Sequence, residues 1–190
     1  MQARSAEWTY QHLVSLLWQQ KVCSFHFPFY KDNADRIKAL DPDALEHMIY
    51  VSCNIKREVV ENDPKEKGER ALLNFGHTLG HAIERETKYT QYNHGEAVAI
   101  GMVGAAVISR ELGLINQDIV KRICQVLHKC RLPQKCSNCS EDGIYNDLFH
   151  DKKTIGGKIN WVLLDKIGRV HVDNNVSENI VRRAIKYILE

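Results

Sequence analysis

Proline is scarce in this sequence, at 4 of 190 residues, and no apolar stretch approaches the roughly 20 residues that a membrane-spanning helix needs. The first shortage leaves long segments without helix breakers; the second excludes a bilayer-spanning reading. Net charge is small too, since 26 basic and 24 acidic side chains leave a formal +2. A chain so balanced has no broad electrostatic drive toward nucleic acid or an anionic membrane, so any anion must be held by a local cluster. The start, Met1 to Glu7, lacks the basic-then-apolar order of a secretory signal, which predicts a cytoplasmic protein. Also missing are a Gly-x-Gly-x-x-Gly after a strand and any alternation of strands with helices, so no nucleotide-binding half is expected. With nothing arguing for export, the six cysteines are expected as reduced thiols. Cys136-Ser-Asn-Cys139 has the inner spacing of half a zinc knuckle, but no second well-spaced pair accompanies it, so it reads as a polar loop.

What is present is helical periodicity. Asp41-Pro42 reads as an N-cap with proline at the first helical position, opening a helix through Leu45, Met48 and Ile49 to Val60. Glu61 to Gly68 is charged, contains both breakers and lacks apolar period, so it is a loop. A helix carrying His77 and His81 follows, with Gly76 and Gly80 inside it. Each interior glycine costs about 1 kcal/mol relative to alanine, which suggests close approach by a ligand or a second helix. Glu96 to Ile108 is apolar nearly all round and must be buried, with Gly113 as the expected C-cap. Asn116 to Cys130 and Ser177 to Leu189 are amphipathic, Ser140 to Leu148 is a short helix, and Lys158–Leu164 with Arg169–Val172 reads as a small hairpin. The predicted fold is mainly α: one multi-helical domain with a β-hairpin near its C-terminus.

Chemistry concentrates on three histidines. His77 and His81 are four apart and share a helix face, while His94 opens the buried helix and can point its ring at the first. Neutral imidazole is a common ligand for zinc-like metals, and catalytic sites use three protein ligands with one open position. From spacing alone, His81 is open to either a ligand or a proton-transfer role, and Glu84 and Glu96 are candidates for orienting a ring N–H.

Arg70-Ala-Leu-Leu-Asn74-Phe-Gly-His77-Thr-Leu-Gly-His81-Ala-Ile-Glu84, then His94-Gly-Glu-Ala-Val-Ala-Ile-Gly-Met102, resembles the signature of 3-dehydroquinate synthase. Further matches run in order: Leu40 to Leu45, Cys53 to Asp63 around Lys56, Leu112-Gly-Leu114, and Asp151-Lys152-Lys153 before Val162 to Leu164. The likeness covers residues 31–190 and corresponds to that family's carboxy-terminal, metal- and substrate-binding domain. It implies conversion of the sugar phosphate DAHP to 3-dehydroquinate and phosphate, using NAD and zinc or cobalt. By resemblance His77 and His94 hold the metal and His81 faces substrate as a proton-handling group. Lys56 and Arg70 face the carboxylate and ring hydroxyls, and Asn74 and Lys152 face the phosphate. Residues 1–30 form a divergent amino-terminal segment. There the family's Ala-Glu-Val-Ile-Lys-Tyr-Gly stretch, source of a third metal ligand, has only Ala6-Glu7 as a displaced counterpart; because the NAD-binding half is missing, this chain alone is expected to be inactive. The NAD-binding half would come in trans, and a homodimer is compatible. Two alternatives stand beside this reading: another sugar-phosphate cyclase of the same superfamily, and a catalytically dead metal-binding or interaction remnant.

Overall fold

A computed structural model describes residues 32–64, except 34 and 38, together with residues 69–150 and 159–189. Helix α1 is Pro42–Asn62, and the Asp41 side chain accepts from the Ala44 N–H at 2.9 Å as the first residues of the sequence pattern require. It turns Ala44, Met48 and Val59 inward. A 3-10 segment, Glu69–Asn74, follows and packs against α1 and against the later hairpin. The Arg70 N–H ties it back to Asp63 Oδ2 at 3.1 Å.

One expectation changes here. Gly76 is not inside a helix: the 3-10 segment ends at Asn74, and Gly76 takes φ +82° as the N-cap of helix α2, His77–Glu86. The cause lies across the interface with α3, His94–Glu111. A Cβ on Gly76 would sit 2.5 Å from Met102 Cγ and 2.9 Å from the Val98 carbonyl. Gly80 meets Val98 in the same way, Gly104 meets Leu79, and a Cβ on Gly101 would fall 2.1 Å from the Gly76 carbonyl oxygen. The two helices therefore cross backbone against backbone, as the glycines suggested, and the partner is a helix.

Helix α3 is buried over Ala97 to Ser109 and is the post on which the domain is assembled. A capping box starts it: the Asn93 side chain accepts from the Glu96 N–H while Glu96 accepts from the Asn93 N–H. Leu112 caps its end and Gly113, at φ +75°, turns the chain away. Around it pack α2, helix α4 (Gln117–Lys129), strand β1 (Trp161–Lys166) and helix α6 (Glu178–Leu189). Helix α5, Glu141–Asp147, bridges α2 and α6. Strand β2, Arg169–Asp173, pairs antiparallel with β1, placing Val162 opposite Val172 and Leu164 opposite Val170. The buried Ser109 hydroxyl joins this hairpin to the post, donating to the Ala105 carbonyl and accepting from the Leu164 N–H, both at 2.8 Å. Boundaries for α4, α5, α6 and the hairpin agree with the sequence reading to within a few residues.

The expectation of reduced thiols is corrected at one pair: Cys136 and Cys139 are joined as a disulfide. It rested on compartment, whereas local geometry decides. Asn138 adopts φ +58° and brings the two Cα atoms to 6.2 Å, within bridging range. Cys53, Cys124 and Cys130 remain thiols outside any disulfide. Among the described residues, no helix is long and apolar enough to cross a membrane.

Candidate functional site

Positions 77, 81 and 84 fall on one stripe of α2, and the glycine crossing presses that stripe toward the first turn of α3. His94 is the first residue of α3, so its ring stands at the mouth of the crossing rather than within the apolar post. The three imidazoles form a near-equilateral triangle. Ring centroids are 5.2 Å apart for His77 and His94, 5.5 Å for His77 and His81, and 5.8 Å for His81 and His94. Two imidazoles sharing one tetrahedral zinc at about 2.1 Å place their centroids about 5 Å apart. Imidazole and carboxylate donors suit a zinc-like ion, and the donor atoms of His81, Glu84 and His94 converge within 4.8 Å, with the His77 ring beside them.

Glu84 is the acidic member of the stripe. It is buried at 8% exposure, and its two oxygens lie 3.1 and 3.3 Å from His94 Nδ1. His81, Glu84 and His94 each bring a donor atom within 4.8 Å of the others, which makes Glu84 either a fourth partner at the ion or a support for His94. Glu96, the other candidate for orienting a ring, is occupied by the capping box and accepts from the Asn93 N–H at 2.9 Å.

The other residues singled out in the sequence are carried by neighbouring elements or lie outside the described residues. Asn74 ends the 3-10 segment three residues before His77 and is half-buried. Arg70, in the first turn of that segment, is half-buried with its guanidinium donating to the Pro64 carbonyl at 3.4 Å. Lys56 is exposed on α1, the helix against which the segment packs. Lys152 and Glu7 lie outside the described residues. The chain returns to α2 just before β1, where the Thr78 hydroxyl donates to the Asn160 carbonyl at 3.4 Å. That contact carried no sequence signal, since threonine between two motif residues looks like spacer.

The connection between α2 and α3 is tied down from outside. The Ser137 N–H donates to the Tyr92 hydroxyl at 2.8 Å, the Gln91 amide donates to the Ser137 carbonyl at 2.9 Å, and Glu86 accepts from the Ser140 N–H and hydroxyl. The Cys136–Cys139 turn thereby braces the segment that delivers His94.

Residues 20–154 match the model of the 3-dehydroquinate synthase C-terminal family. A 3-dehydroquinate synthase of Aliivibrio fischeri (strain MJ11) is 45% identical over 161 residues, covering 84% of this chain and 44% of the relative. The chain thus spans less than half the length of that curated relative. Among solved structures, a 2-epi-5-epi-valiolone synthase from Streptomyces hygroscopicus subsp. jinggangensis 5008, with NAD+ and Zn2+ bound, superposes with a TM-score of 0.82 at 21% identity. It covers 98% of this chain and 51% of that one. A 2-deoxy-scyllo-inosose synthase complexed with carbaglucose-6-phosphate, NAD+ and Co2+ gives a TM-score of 0.76 at 24% identity, over 98% of this chain and 53% of that one. At these identities the two structures speak for the fold.

Proposed function

The chain belongs to the 3-dehydroquinate synthase family through that family's carboxy-terminal domain, and from that premise we propose that it forms the metal- and substrate-binding wall of a lyase converting DAHP to 3-dehydroquinate and phosphate in the shikimate pathway. The observation that carries the reading is the meeting of three imidazoles at 5.2 to 5.8 Å across two helices that glycine alone allows to cross so closely. His77 and His94 are assigned to a zinc or cobalt ion. Such an ion supplies Lewis acidity that eases alkoxide formation at a substrate hydroxyl. His81, one turn along the same face, is assigned to move a proton at that hydroxyl. Arg70 supplies a planar guanidinium for the substrate carboxylate, and Lys56 a point charge beside the ring hydroxyls. Asn74 and Lys152 are assigned to the phosphate. NAD is held by a dinucleotide-binding half, on the same polypeptide or another, so hydride chemistry requires both halves. The compartment assigned is the cytoplasm.

The identity of 45% to a dehydroquinate synthase favours DAHP over the substrates of other sugar-phosphate cyclases, to which the likeness is one of fold. Zinc titration by calorimetry tests the metal assignment, in a chain whose free cysteines are serine. His77→Ala and His94→Ala are each expected to abolish most zinc binding, whereas tight binding that survives both overturns the placement. Phosphate release from DAHP with NAD and zinc is expected only when a dinucleotide-binding half is added. Release from a hexose phosphate in place of DAHP would move the chain to another cyclase.

A further inference from the structure

A carboxylate as deeply buried as Glu84 needs hydrogen-bond donors around it. The donor facing it is His94 Nδ1, 3.1 Å from Oε1 and 3.3 Å from Oε2. An ionised carboxylate can only accept, so the proton in that contact belongs to the imidazole nitrogen. A neutral imidazole carries one N–H, and fixing it at Nδ1 leaves the lone pair at Nε2. We infer that Glu84 is a positioning residue that locks His94 into its Nδ1–H tautomer and makes Nε2 the ring atom presented to a divalent cation. This rests on the metal reading given above and deepens it by naming the ligating atom.

The architecture favours this arrangement in two ways. Glu84 rides on α2 and His94 on α3, so the spacing of acceptor and donor is set by the glycine crossing rather than by flexible side chains. The acceptor also shares its stripe with His77 and His81, so one rigid helix carries two rings and the group that aims the third. Glu96 gives its Oε2 to the Asn93 N–H in the capping box, whereas both oxygens of Glu84 face the His94 ring. The competing arrangement makes Glu84 itself a ligand beside His81 and His94, whose donor atoms lie within 4.8 Å. A hydrogen bond and a shared ion need similar spacings, and only the position of the proton separates them.

That proton is observable without any metal. In 15N-labelled, metal-free chain at pH 8.5, long-range 1H–15N correlation of the imidazoles is expected to show His94 protonated at Nδ1 and bare at Nε2. Glu84→Gln keeps an acceptor oxygen and should keep that tautomer, while Glu84→Ala should shift it toward Nε2–H. Zinc affinity should follow, near wild type for Glu84→Gln and weakened about 10- to 100-fold for Glu84→Ala. A wild-type His94 protonated at Nε2 overturns the inference, and this result needs no variant to fold. So does a tautomer unchanged in Glu84→Ala. If Glu84→Gln loses as much zinc affinity as Glu84→Ala, the carboxylate is a ligand and the positioning role fails. Absence of zinc binding with the Nδ1–H tautomer intact would count against the metal reading alone.

Discussion

The α2–α3 crossing and the α5–α6 joint solve the same problem by opposite means. At the first, atoms have been removed: Gly76, Gly80 and Gly101 let backbone meet backbone, and Gly104 leaves room for the Leu79 side chain. At the second, long charged side chains have been added. Arg182 reaches Glu178 at 2.6 Å, Asp142 at 2.9 Å and Glu141 at 3.1 Å, and lies 4.2 Å over the Tyr145 ring. A contact made by absence has no alternative conformer, because backbone cannot move aside as a side chain can. A contact made of long ion pairs can be remade with other partners or with water. The histidines sit at the first kind of joint, where three rings are held to a fixed triangle; the second kind only keeps the C-terminal helix in place.

If this contrast is sound, the largest effect should come from putting one methyl group into the crossing. Gly101→Ala would drive a Cβ to 2.1 Å from the Gly76 carbonyl and 2.7 Å from the Gly80 nitrogen. Both are backbone, so the helices must separate, at about 3 kcal/mol or more. That is a large part of the stability of an ordinary domain. Gly113→Ala is the control, since Gly113 has φ +75° but nothing within 4 Å of the added carbon; it should cost about 1 kcal/mol from backbone strain alone. Urea unfolding of both variants checks the ranking, and equal losses would mean that the crossing is no tighter than a surface turn. Next in size is Ser109→Ala, which strands the Leu164 N–H in the core between α3 and β1. A loss of about 1 to 3 kcal/mol is expected. Hydrogen exchange should quicken at Leu164 before it quickens in α2.

How far each region was legible in the sequence follows from the same contrast. The all-round apolar character of Glu96 to Ile108 announced a buried post, and the spacing of His77 and His81 announced a shared face, because both depend on local period. The caps at Asp41, Asn93, Asn116 and Ser140 are equally local and start their helices where such residues should. The break at Gly76 was not legible: the residues that leave no room for a side chain there, Met102 and Val98, are more than 20 positions away. The Cys136–Cys139 bridge depends on a turn at Asn138 that spacing cannot supply. Nor could sequence period show that Glu96 serves the cap while Glu84 serves the ring, since both are acidic residues near a histidine.

The smallest expected effect lies at the charged joint and should differ in kind. Arg182 holds the Glu178 carboxyl below its usual range, chiefly through its hydrogen bond. Arg110, likewise through a hydrogen bond, does the same for Glu111, which Arg183 also meets at 2.7 Å. A carboxyl whose pKa is lowered by folding contributes stability that is fully present above its unfolded value, near 4.5, and is lost as pH falls through the lower folded value. Arg182→Met keeps the stem over Tyr145 and removes the charge, so it isolates this contribution. The gap in Tm between wild type and Arg182→Met should be small and steady from pH 7 down to about 5, then close as pH falls further. Because the comparison is a difference, histidine protonation near neutral pH cancels from it. Salt raised to about 1 M at pH 7 should narrow the same gap, since the screening length there falls to about 3 Å, the span of these exposed pairs. The deficit of Gly101→Ala should respond to neither acid nor salt in that way, because steric overlap carries no charge. An Arg182→Met gap that stays constant through acid and salt would mean that this joint, too, is held by shape, and the contrast between the two regions would fall.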